Sequence, residues 1–77
     1  MNKKETLEQA MTAREEEIMG YQINIDNYAL AIPLAEADPD LADFAENLKS
    51  LLASSIIEQK KAFIIRDVIK AQLESIQ

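Results

Sequence analysis

The chain of 77 residues has no cysteine, no histidine and no tryptophan, one glycine and two prolines. Each shortage excludes something. Without cysteine there is no disulfide and no thiolate metal site. Without histidine the commonest general base is missing, along with most zinc and carboxylate–histidine di-iron sites. Gly20, Pro33 and Pro39 are too few turn formers for an all-β fold, which needs turn signals roughly every 8 to 12 residues. No uncharged apolar run approaches the roughly 18 residues of a membrane span. The opening "MNKKETLEQA" has basic residues but no apolar run behind them, so it does not read as a signal peptide. A soluble, cytoplasmic protein is expected, without membrane contact and without a cofactor.

What is present is apolar and helix-forming. The composition is 48% hydrophobic, too apolar for a disordered chain. The length suits one domain over residues 1–77. A chain this short buries little surface alone, so helix packing and oligomerisation must supply its stability.

The stretch "GYQINIDNYALAI", residues 20–32, alternates like a strand: Tyr21, Ile23 and Ile25 against Gln22, Asn24 and Asp26. A longer pattern overrides it. Leu7, Met11, Arg14, Ile18, Tyr21, Ile25, Tyr28, Ile32 and Ala35 are spaced by alternating steps of four and three. This is a heptad seam, interrupted by one charge, and it predicts a helix over about 5–32. Gly20, Asn24, Asp26 and Asn27 are mediocre helix formers, so this helix should be weakest there. Pro33 crowds the carbonyl of Ala29 and disfavours helix at Ile32, so a helix end, a kink or a short third helix is expected near it.

"ADPDLADFAENL" reads as the start of a second helix. Asp38 is a capping residue, Pro39 fits the first helical position, and Asp40 and Asp43 suit the positive end of the helix dipole. Leu41, Leu48, Ser55, Ala62, Ile69 and Ile76 then form a seven-residue ladder. Phe44, Leu51 and Ile65 flank it on one side; Ala45, Leu52 and Leu73 flank it on the other. The second helix is predicted over about 39–75, after a turn at about 33–39.

The expected fold is therefore all-α: an antiparallel two-helix hairpin whose paired residue numbers sum to roughly 76. Tyr28 should fall near Leu48, Tyr21 near Ser55 and Arg14 near Ala62, with Glu58 in reach of Arg14. Apolar residues remain that a hairpin cannot bury, among them Met19, Ile23, Leu30 and Leu34, and a stripe of Ala53, Ile57, Ile64, Val68 and Ala71. An exposed patch that large is unusual for a monomer. Self-association is expected through Met19, Ile23, Leu30, Ile57, Ile64 and Val68, with two hairpins closing a four-helix bundle.

The net charge of −6 is unevenly spread. Residues 15–58 hold ten acids and one base, Lys49; residues 59–77 hold Lys60, Lys61, Arg66 and Lys70 against Asp67 and Glu74. The turn end is strongly acidic and the end with both termini is mildly basic. Four bases balanced within the fold are too few for nucleic-acid binding. The candidate partner-binding residues are Glu15, Glu16, Asp38, Asp40, Asp43 and Glu46. In "REEEI", residues 14–18, Glu17 flanks the seam and Glu16 faces away; the cluster reads first as solvated surface, and interhelical pairing with Lys60 or Lys61 is the second choice.

No motif for catalysis emerges. Asp38, Asp40 and Asp43 lack the glycine and spacing of a calcium loop, and Ser54 and Ser55 have no base beside them. The first reading is a non-enzymatic homodimeric interaction or adaptor protein that presents a surface to a larger protein. The alternative is an acidic inhibitor, of the type viruses and mobile elements encode, occupying the basic groove of a nucleic-acid-binding enzyme. The third is a metal-dependent all-α hydrolase.

Overall fold

The computed structural model describes residues 2–76. Two helices of equal length, α1 (Lys3–Glu36) and α2 (Ala42–Ser75), are joined by the 3₁₀ turn Pro39–Leu41. No strand occurs among the described residues. The helices run the length of a rod with extents of 57 × 16 × 14 Å.

Helix α1 starts two residues before its expected position because Asn2 caps it. The Asn2 Oδ1 accepts from the Glu5 backbone N–H at 2.8 Å. This satisfies one of the free amides at a helix start. The helix passes unbroken through Gly20 and Pro33. The expected end or third helix near Pro33 is thus corrected: α1 continues to Glu36, and the Ala37 N–H donates to the Pro33 carbonyl at 3.2 Å. Proline removes one backbone bond, but packing of the following turn holds the helix. Ala35 is buried against Ala45 and Leu48, with Ile32 and Ala31 packed around them.

The reversal takes only Ala37 and Asp38. Asp38 has extended backbone, and its Oδ1 accepts from the Asp40 N–H at 3.0 Å. The cap predicted at Asp38 is present, but Pro39 opens a 3₁₀ turn and not α2 itself. None of the described residues has positive φ, so the reversal needs no glycine.

All nine seam residues of α1, from Leu7 to Ala35, are buried or half-buried. On α2 the inner residues are Ala45, Leu48, Leu52, Ser55, Gln59, Ala62, Arg66, Ile69 and Leu73. Of the two flanks read from the sequence, the one with Ala45, Leu52 and Leu73 faces α1. Phe44, Leu51 and Ile65 face outward, each at least 40% exposed. Tyr28 packs by Leu48 as the expected pairing requires.

Candidate functional site

The turn end gathers part of the predicted acidic set. Glu36, Asp38 and Glu46 border one shallow recess with Pro39, Ala42 and Ala45. Helix α1 delivers Glu36 at its last residue, the cap delivers Asp38, and the first turns of α2 deliver Glu46. Asp40 and Asp43 lie exposed on the same end. Lys49 sits among them: its Nζ lies 2.9 Å from Glu46 and 3.2 Å from Glu36. The Glu46 hydrogen bond first, then the Glu36 hydrogen bond and the charges of both, raises the Lys49 pKa above its ordinary value. The single base of the acidic region thus ties the two helices together at the tip. It also satisfies two of the carboxylates that a partner would otherwise meet.

Glu15 and Glu16 are not part of that cluster. They lie about 30 Å back along α1, at 1.5 Å per residue. There they border a groove with Thr12 and Met19. The six predicted partner-binding acids therefore divide into two separate surfaces. Among the described residues no group of three or more Asp, Glu, His or Cys is placed to hold a metal ion. No helix of the described residues is long and apolar enough to cross a membrane.

The middle of the rod contains polar groups whose pairing the sequence did not reveal. Gln59 is buried, and its Nε2 donates to the Gln22 Oε1 at 2.9 Å and to the Ile18 carbonyl at 3.2 Å. A buried amide with these partners fixes which residues of the two helices lie level. The signal was present: the ladder Ala45, Leu52, Leu73 has two gaps at seven-residue spacing, and Gln59 and Arg66 fill them. Beside Gln59 a cleft of about 290 Å³ is lined by Glu15, Ile18, Met19, Gln22, Phe63 and Arg66. The Arg66 guanidinium lies 5.0 Å from the Phe63 ring centroid and bonds Asp67 at 2.9 Å.

Glu15 and Glu16 of "REEEI" are exposed, and the pairs formed around the cluster stay within one helix. Arg14 does not pair with Glu58; its Nε lies 3.2 Å from the Glu17 carboxylate, one turn along the same helix. Lys61 pairs with Glu58 at 2.9 Å, also within one helix, and not with Glu17. Side chains one turn apart meet without straining either helix, so the local pairs win over the interhelical ones. The Arg14 Nε is nonetheless enclosed and lacks a well-aligned hydrogen bond.

The predicted self-association residues are all on the surface. Met19, Ile23, Leu30, Ile57, Ile64 and Val68 are 52–71% exposed. Met19 lies on the cleft side with Gln22 and Phe63. Helical spacing places Ile23, Leu30, Ile57 and Ile64 on the outer backs of the helices. One flat contact cannot cover all six. Compared with protein-family models, with curated proteins and with solved structures, the chain has no match.

Proposed function

We propose that the protein is a non-enzymatic interaction or adaptor protein, a homodimer of helical hairpins that presents its acidic end to a larger partner. One observation carries the reading. Among the described residues thirteen large hydrophobic side chains are 37–76% exposed, whereas the buried hydrophobic core is Ala35, Ala45, Leu48, Ala62 and Ile69. Water-exposed apolar area on that scale marks a surface used for contact. A second copy supplies the same chemistry across a twofold axis, so self-association closes without leaving an open end. Light scattering across a concentration series tests it. A mass near twice 8.7 kDa, held on dilution, is the expected result; a monomer throughout overturns the homodimer.

The charge map favours a second reading, an acidic inhibitor that fills a basic groove. The acids at the turn, including the exposed Asp40 and Asp43, support it. An arginine-rich peptide is the probe. Under this reading it binds with steep salt dependence and is released when Asp40, Asp43 and Glu46 are all changed to Lys. Salt-independent binding, or binding that survives the triple change, removes this reading and leaves the adaptor reading in place.

A further inference from the structure

We propose that the second copy covers one particular face of the hairpin, and that it lies parallel, with both acidic turns at the same end. The inference rests on the homodimer reading and gives it a face and a direction. Helical spacing divides the surface flanking the seam into two sides. Glu15, Gln22 and Phe63 mark one, around the cleft. On the other side α2 presents Phe44, Leu51, Ile65 and Val68, all 40–52% exposed. On that same side α1 presents Ala10, Ala13, Gly20 and Ala31, with Asn24, Asn27 and, next to the turn, Leu34. Away from Leu34 at the turn, α2 carries the bulk on this side and α1 the smaller side chains.

Two carboxylates interrupt this side, Glu17 and Glu58, and each carries its own cation, Arg14 and Lys61. The side can therefore be covered without stranding an unpaired charge among them. Gly20 points the same way. A glycine weakens a helix interior. Here a Cβ at Gly20 would meet nothing within 4 Å, so no contact inside the hairpin requires its small size. Close approach of a second backbone would use it.

The area fits a second copy. A face of 57 × 16 Å offers about 900 Å², against about 800 Å² per partner in a standard interface. The accessible surface of 5470 Å² exceeds the roughly 4,700 Å² of a compact monomer of this mass.

Direction follows from size. A twofold axis along the rod places α2 of one copy over α1 of the other, bulk against recess. An axis across the rod stacks bulk on bulk and recess on recess. Close packing selects the first. Charge opposes it: residues 36–49 hold five acids and one lysine, net −4, so a parallel pair gathers −8 at one pole. Those charges are exposed and screened beyond about 8 Å at physiological salt, whereas apolar burial is not. Packing prevails, and the partner meets a doubled acidic pole.

The chain has no cysteine, so single spin labels at Asp40→Cys or at Glu74→Cys report the arrangement directly. A parallel dimer gives intermolecular distances within about 25 Å at both positions, two helix layers across. Distances near the 57 Å rod length at both positions overturn the direction and leave the dimer reading intact. A monomeric mass with no intermolecular distance overturns both. Gly20→Leu tests the face without threatening the fold, because the hairpin leaves open space there. It should raise the dimer dissociation constant about tenfold or more, with Ile23→Ala as a control that leaves it unchanged; the reverse pattern overturns the face.

Discussion

The two halves of the seam are held by different physics. Near the turn, Ala35, Ala45 and Leu48 are buried together, with Tyr28, Ala31 and Ile32 packed on them. Small residues let the helices approach, and one leucine fills the space. Further from the turn the inner line takes in Arg14, Gln59 and Arg66 among the apolar residues. Cohesion in the first half comes from apolar burial, and specificity in the second half comes from hydrogen bonds. A turn that is already closed lowers the entropy cost of pairing beside it, so the apolar half sits where association starts. The polar half then admits one register.

The largest expected effect breaks the apolar half. Leu48→Ala removes a leucine that is 4% exposed, and it should cost about 2–5 kcal/mol at fixed protein concentration. Ile69→Ala, in the far half, should cost less, because Ile69 is 8% exposed against 4% for Leu48 and lies toward the open end of the hairpin. Urea denaturation of both variants checks the order. Equal losses would mean the two halves do not differ in packing.

A smaller effect separates cohesion from specificity in the polar half. Gln59→Leu removes the donor to Gln22 and Ile18 and puts apolar bulk in its place. Removing one partner of a buried hydrogen bond is costly only where the other is left buried and unsatisfied; Gln22 is exposed to water and the Ile18 carbonyl lies within α1, and a seam amide holds register at some cost in stability. Stability should stay level or rise by about 1 kcal/mol, while distances between spin labels on α1 and α2 spread. A loss above about 2 kcal/mol with sharp distances would show that the amide bonds supply cohesion after all.

This contrast also explains what the sequence disclosed. The α1 seam was legible in full because its four-three spacing runs through nine positions, whereas Met19, Ile23, Leu30 and Leu34 form no second series of that length. On α2 apolar residues stand on both flanks of the ladder, so periodicity alone could not choose between Ala45, Leu52 and Leu73 and their bulkier rivals. Contact of Ala45 with Ala35 and the bond from Gln59 to Gln22 decide for the side that carries them, and that information lies in the partner helix. Gln59 escaped because a search for apolar spacing passes over an amide. The continuation of α1 past Pro33 escaped because local propensity points the other way and only tertiary packing at Ala35 reverses it. The acidic end was legible as charge. Its internal neutralisation by Lys49 was not, since Glu36 and Lys49 are 13 residues apart and meet only after the reversal.

The smallest effect concerns that lysine. Lys49 is the one cation bridging α1 and α2 at the tip, and its side chain is 44% exposed, so solvent screens the bridge. Its pKa in the fold is raised, so the fold binds this proton more tightly than the unfolded chain does. The resulting stability is fully present below the unfolded lysine value, about 10.4. It is lost as pH rises through the higher folded value. Lys49→Met should therefore leave the global transition almost unchanged at neutral pH and speed amide exchange selectively around residues 35–45. The difference from the parent chain should shrink as pH climbs past the lysine range. Exchange that quickens equally at both ends of the rod would show that the bridge is not what fastens the tip, and that the Ala35, Ala45 and Leu48 contacts hold the turn half unaided.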